Sequence, residues 1–416
     1  MIRQAPLRRA SVHSQLYRFF LVAVLFLAAA AIPRVSAQTF SVVHTFSGAD
    51  GSTPNGEMIR DPAGNLYGTT QTGGSLGFGV VFRLDSSGNE TVLYNFSGGT
   101  DGGLPLGGMV RDNSGNLYGL TEIGGASSCG CGVLFELLSN GTLRVLHAFL
   151  GGTDGMESDG QPGQGLLPVG GELYGVTYLG GMPGCDGDFG CGTIFKITMT
   201  GEETVIYRFT GAADGAFPQA LISDGSGNLY GVTGGGYDDV SDGGGVFKLD
   251  TTGHYSVLYN FPGGDDGSRP MWRLTAVGSN TLYGTTFAGG SSNCAIGPCG
   301  VVYSLDTTNA TETLWHEFGD VSADGVEPSG PLLDVAGDFY GTTYYGGIIN
   351  SQCDLGCGVV YGLGASDTYK EVYRFTGGAD GASPNGALVE DSEGSLYGAA
   401  ASGGNNHNGV IFKISR

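Results

Sequence analysis

Eight cysteines, six histidines and forty acidic side chains are the groups in this 416-residue chain that could do chemistry. The cysteines fall into four close pairs, Cys129/Cys131, Cys185/Cys191, Cys294/Cys299 and Cys353/Cys357, and the second of each pair directly precedes a glycine. A four-thiolate metal site would need two pairs to converge, and pairs this far apart in the chain sit in different structural units. The even count therefore points to disulfides in an oxidising compartment. A Cys185–Cys191 bridge would close a seven-residue loop, worth roughly 2 kcal/mol by chain entropy. The one-residue spacing of Cys129 and Cys131 is a strained one and leaves their state open.

Two acidic clusters have the density a hard cation needs: Asp238, Asp239 and Asp242 in one loop, and Asp154, Glu157 and Asp159 in another. Both suit Ca²⁺, the one cofactor that the sequence offers, although neither has the EF-hand spacing and solvated surface charge explains them as well. Catalytic signatures fail one by one. Residues 73–77 read G-G-S-L-G and fit the G-x-S-x-G pattern, but no helix follows them. His44, His147 and His316 each stand two residues before a phenylalanine, where other copies of the same stretch have tyrosine. Equivalent positions in separate units cannot converge into a triad or a metal site, so these histidines read as packing residues. His254 and His407 are isolated. No catalytic residue is assigned.

The units that position these groups are repeats. A Leu-Tyr-Gly core, or a one-residue variant, occurs at Tyr67, Tyr118, Tyr174, Tyr230, Tyr283, Tyr340 and Tyr397, at intervals of 51 to 57 residues. Within one repeat, residues 57–60 are a short apolar run, 61–65 a turn cluster, 66–70 a β-prone run, 80–84 a third strand, 85–89 another turn and 91–96 a fourth strand. The fourth strand ends in Phe46, Phe96, Phe149, Phe209, Phe261, Phe318 and Phe375, and an Asp-Gly pair follows each. Those seven aspartates read as turn formers bonding to their own backbone. Nothing shows helical periodicity. Seven copies of four antiparallel strands predict an all-β fold, a seven-bladed β-propeller, because radial repetition hides the sheet edges that separate sheets would expose. A β-helix has shorter rungs. The chain after the leader opens on a fourth strand (40–46) and stops after a third (410–414), so the N-terminal strand is expected to complete the last blade.

The G-N-L-Y-G-T-T core, the Gly-Gly downstream of it and the G-V-V-F strand resemble the Gloeo/Verruco (GloVer) tandem-repeat family of bacterial secreted proteins, over essentially all of the chain past the leader. The resemblance implies no catalytic residues. It implies a C-terminal sorting or anchoring segment in many members, which the sequence ending Ile414-Ser415-Arg416 does not match.

Residues 1–37 read as a signal peptide. Arginines at 3, 8, 9 and 18 precede fourteen apolar residues (19–32), fewer than the roughly 18–20 that a membrane span needs, and V-S-A at 35–37 suits cleavage. Residues 38–416 then form one propeller domain, with no membrane span after cleavage and a monomer as the expected state. The net charge of −22 becomes −27 without the five leader arginines, which argues against nucleic acid as a partner.

In an up-and-down meander the loops from fourth to first strand and from second to third share one face. Here they carry the length variation, the Asp-Gly pairs and the cysteines. Variable loops on a rigid frame are where binding usually resides. Two residues past the repeat proline, most repeats place Gly or Ala (Gly56, Gly107, Ala220, Gly330, Gly386), as a crowded axis requires, whereas the fifth places Trp272 followed by Arg273. Trp272 either plugs the channel or offers a stacking surface, and Trp272 and Arg273 are the candidate ligand contacts. Two functions follow. The first is a secreted, non-catalytic binding or scaffold module for an extracellular glycan or protein; acidic and basic residues converging on the axis would count against it. The second, by fold analogy, is a propeller enzyme acting on sugars or polysaccharides: a hydrolase, lyase or quinone-dependent dehydrogenase.

Overall fold

The computed structural model describes residues 38–156, 165–185, 189–235, 243–290, 299–319, 324–364 and 368–416. Seven antiparallel sheets follow one another along the chain, each with neighbouring strands in sequence order, and together they are a seven-bladed β-propeller. The first blade runs Ser52–Arg60, Leu66–Thr72, Val80–Leu84 and Glu90–Asn95, from innermost to outermost strand. The last uses Ala382–Pro384, Leu396–Ser402 and Val410–Ser415, and its outer strand is the N-terminal Thr39–Thr45. The expected clasp is present. Residues 40–415 form one compact unit. Helix among the described residues amounts to single 3-10 turns such as Gly152–Asp154 and Gly264–Asp266.

The repeat motif is explained by packing. Each third strand buries an aromatic ring, Phe82 in the first blade, and that ring lies over the glycine of Leu-Tyr-Gly. A Cβ at Gly68 would stand 2.6 Å from Phe82 Cζ, and Gly119, Gly175, Gly231, Gly284, Gly341 and Gly398 face their own rings in the same way. The same ring meets the phenylalanine that closes the previous blade, edge to face: Phe46–Phe82 at 5.3 Å, Phe96–Phe135 at 5.2 Å, and so on to Phe375–Phe412 at 5.2 Å. Seven such pairs join every blade to the next, each adding about 0.5–1.5 kcal/mol beyond its buried area. The motif tyrosine closes the turn: Tyr67 Oη donates to Asp61 Oδ2, while Asp61 Oδ1 accepts the N–H groups of Ala63 and Asn65.

The inner strand is longer than the apolar run 57–60 suggested, and in four blades it breaks in two, as at Gly103–Pro105 and Val110–Arg111. Crowding at the axis is the cause. A Cβ on Gly56 would fall on the backbone of Gly107, and one on Gly386 would fall on Gly56. The residue before the repeat proline is left-handed in six blades (Thr53, Leu104, Phe217, Arg269, Glu327, Ser383; φ +52° to +58°). Its N–H thereby reaches the previous blade: Phe217, Glu327 and Ser383 donate to the carbonyls of Cys191, Cys299 and Cys357. The second cysteine of these pairs thus sits at a blade joint.

Candidate functional site

Trp272 lies at a narrow level of the axis, where five other blades place glycine or alanine. It is 6% exposed, and its indole N–H donates to the carbonyl of Pro328 in the next blade at 2.7 Å. One face of the indole still borders a pocket of about 180 Å³. Its other walls are Phe287, at the end of the fifth blade's second strand, and Tyr344 and Tyr345, at the end of the sixth blade's. Tyr344 and Tyr345 meet edge to face at 4.8 Å, and Arg269 lies 5.2 Å over the Phe287 ring. Three polar groups converge on these rings. Ser329 Oγ is already engaged with Thr342 and the Pro384 carbonyl. Asn385 is buried, with its Oδ1 lacking a hydrogen-bond partner. Glu327 is pushed up to about 7 by burial, with Arg269 opposing. Glu327's left-handed backbone is shared by six blades and belongs to the fold, not to this pocket. The strand ends place the pocket on the face of the length-varying loops.

Arg273 points elsewhere. It lines an axial cavity of about 550 Å³ with Glu57, Arg60, Arg111 and Glu390, residues from the ends of inner strands near the short turns. Its guanidinium pairs with Glu57 at 2.7 Å; burial raises the Glu57 carboxyl, and Arg273 opposes that rise. Arg111 stacks 5.6 Å over Tyr67. The two neighbouring candidates from the sequence therefore serve two different cavities. Acidic and basic groups do converge on the axis here, the arrangement that would count against a purely binding role.

Cys129–Cys131, Cys185–Cys191 and Cys353–Cys357 are bridged, and Cys299 is disulfide-bonded. Cys294 lies outside the described residues, as do Asp238, Asp239, Asp242, Glu157 and Asp159. Asp154 is described, and its partner was not anticipated. Its Oδ2 lies 3.2 Å from His147 Nε2 and accepts the Leu150 N–H. Burial alone would raise this carboxyl, but those two contacts hold it below the usual range.

The pairing recurs around the ring. His44 and His316 stand 3.2 Å from Asp50 and Asp324, and the hydroxyls of Tyr94, Tyr207, Tyr259 and Tyr373 donate to Asp101, Asp214, Asp266 and Asp380. Asp50, Asp101, Asp154, Asp214 and Asp380 accept backbone N–H groups in their own loops, as expected, but the aspartates also anchor the outer strand. The next blade covers each pair with the residue six before its own closing phenylalanine. Tyr255 stacks on Tyr207 at 4.2 Å, Tyr369 on His316 at 4.4 Å, and Phe40 on Tyr373 at 3.8 Å. At the second blade that residue is Leu143, and at the remaining three it is Glu90, Glu203 or Glu312, each glutamate raised first by burial and then by the aspartate of the previous blade, Glu90 to about 7.

Sequence reasoning missed Phe287, Glu327, Tyr344 and Tyr345. The signal was in the repeat columns: the residues just after G-T-T are Gln71-Thr72 in the first repeat but Phe287-Ala288 and Tyr344-Tyr345 in the fifth and sixth. The His/Tyr–Asp pairing was legible too, as a constant spacing of six to eight residues.

The fold and its cavities define a seven-bladed propeller with a ligand-sized pocket towards each end of the axis. The chain belongs to the Gloeobacter/Verrucomicrobia repeat family, whose model matches residues 31–185, 132–297 and 240–416. No curated protein matches it. Among solved structures it is similar to a catalytically inactive virginiamycin B lyase from Staphylococcus aureus with quinupristin (TM-score 0.59, 13% identity, 91% of this chain and 99% of that one). It is also similar to an oligogalacturonate lyase in complex with manganese (TM-score 0.58, 12% identity, 92% and 94%). An oligogalacturonate lyase from Vibrio parahaemolyticus aligns at TM-score 0.54 and 9% identity, over 91% and 97%. At these identities the likeness is one of fold.

Proposed function

We propose that the protein is a secreted, non-catalytic recognition module that holds one sugar unit of an extracellular glycan in the pocket formed by Trp272, Phe287, Tyr344 and Tyr345. The carrying observation is that four aromatic rings line one small pocket together with the polar side chains of Glu327, Ser329 and Asn385. Aromatic faces bury the apolar faces of a pyranose, and polar side chains at the rim of such a pocket fix its orientation through its hydroxyls. The volume of about 180 Å³ is below that of drug-sized sites and suits a single ring. Export is supported by the leader-like residues 1–37 and the disulfides, and no helix among the described residues is long and apolar enough to cross a membrane. A glycan array tests the reading: capture of a defined glycan by the wild type, lost in Tyr345→Ala, supports it. Array silence, or capture indifferent to Tyr345→Ala, overturns it.

A second reading has its own observation. Glu57, Arg60, Arg111, Arg273 and Glu390 converge on the axial cavity, and in so acidic a protein three guanidinium groups there would favour an anionic sugar substrate. Turnover of acidic polysaccharide, abolished by Arg111→Ala and untouched by Tyr345→Ala, would establish that enzyme reading in place of the first.

A further inference from the structure

The joint between the second and third blades brings three possible metal ligands together. His147 Nε2, an Asp154 carboxylate oxygen and a Glu203 carboxylate oxygen all lie within 4.8 Å of one another, the one such group among the described residues. They come from three separate pieces of backbone: the second blade's outer strand Leu143–Ala148, the Gly152–Asp154 turn and the third blade's outer strand Glu203–Arg208.

The other joints show what the fold does without a cation. Where Tyr255, Tyr369 or Phe40 covers the pair below, the joint is an aromatic stack. At this joint, as at those of Glu90 and Glu312, a carboxylate takes the place of the ring and leaves one oxygen without a hydrogen-bond partner, but among the described residues only here do it, an aspartate and a histidine offer ligand atoms within 4.8 Å of one another. Two half-buried carboxylates brought this close favour a positive charge between or beside them. The groups facing the site are His147, Asp154, Glu203 and Arg208, and Arg208 gives its Nε to the Thr153 carbonyl. The geometry points to a divalent cation held between His147, Asp154 and Glu203. One imidazole nitrogen with two carboxylate oxygens selects a first-row ion such as Zn²⁺ over Ca²⁺, which prefers all-oxygen sites. Two ligands about 2.0–2.1 Å from Zn²⁺ at a tetrahedral angle stand about 3.4 Å apart. His147 Nε2 and Asp154 Oδ2 are 3.2 Å apart, so these two need no rearrangement. Three protein ligands leave a fourth position open. The ion would clamp one blade to the next where the joints of Tyr255, Tyr369 and Phe40 rely on stacked rings.

The site is distinct from the acidic loop read in the sequence: it keeps Asp154 and replaces the neighbouring carboxylates with residues from two outer strands. Every described cysteine is disulfide-bonded, so no described thiolate competes for the metal.

Chelator-stripped full chain without a polyhistidine tag is titrated with Zn²⁺ by calorimetry. Wild type should bind one equivalent and gain thermal stability that EDTA reverses. His147→Tyr, which installs the residue used at four other joints, and Glu203→Gln should each weaken binding at least tenfold. His44→Tyr, at a joint whose groups do not converge in this way, should bind as wild type does. Absence of saturable binding, undiminished binding in either His147→Tyr or Glu203→Gln, or loss in His44→Tyr overturns the assignment.

Discussion

Replacing Trp272 by alanine separates a structural wedge from a mere surface ring. The indole is 6% exposed and spans from the fifth blade to the Pro328 carbonyl of the sixth. Neighbouring glycine backbones already touch at this level, so they have little room to close over the space it would vacate. Removing such a side chain should cost about 3–5 kcal/mol. Trp272→Phe keeps one aromatic ring but loses part of the indole together with its N–H, leaving the Pro328 carbonyl without its donor, and should cost less, about 1–3 kcal/mol. Equilibrium unfolding in guanidinium, followed by far-ultraviolet circular dichroism, reads both. The order wild type, Trp272→Phe, Trp272→Ala is required. If Trp272→Ala falls within about 0.5 kcal/mol of wild type, as an ordinary surface substitution would, the wedge argument is wrong.

Glu90 gives a pH signature. Its folded carboxyl is pushed up to about 7 by burial and Asp50, above the unfolded value of 4.5, so the folded state holds the proton more tightly. The resulting stability is full below the unfolded value and is lost as pH rises through about 7. Glu90→Gln should therefore raise the melting temperature at pH 8, with the gain shrinking by pH 5; an equal effect at both would refute the origin. Gly119→Ala should destabilise strongly, because its methyl would stand 2.6 Å from Phe135 Cζ; a thermal melt unchanged from wild type would contradict the slot. Disulfide reduction should speed hydrogen exchange at the Phe217 and Ser383 amides, which donate to bridged Cys191 and Cys357, while the Thr53 amide, donating to Asn408, keeps its protection. Uniform change at all three would detach the bridges from the blade joints.

The blade count and closure were legible because the Leu-Tyr-Gly, Val-Val-Phe and Asp-Gly columns recur with every blade, and each column answers to one contact. Gly68 recurs because Phe82 lies on it, and Phe46 because it meets that same ring from the previous blade. The pockets were less legible because they are built from departures, not repeats. Trp272 stood out as a large residue in a column of glycines, but its neighbour Arg273 faces another cavity. Both lie in the break of the inner strand between Pro270 and Thr275, where strand alternation does not say which way a side chain points. Tyr344 and Tyr345 occupy a variable column, where no expectation is violated. The His147–Asp154–Glu203 group joins two blades, and a position 56 residues away becomes a neighbour only once the inter-blade register is known.

The central claim is that ligand enters the pocket beside Trp272. The chain has two tryptophans, and Trp315 lies in the fifth blade's outer strand, hydrogen-bonded to Ser304. In a Trp315→Phe background, emission therefore reports on Trp272 alone. Titration with a glycan captured on the array should shift that emission saturably, with the same midpoint as binding measured by calorimetry, and Tyr345→Ala should abolish both. Calorimetric binding with no change in Trp272 emission would place the ligand elsewhere and contradict the account.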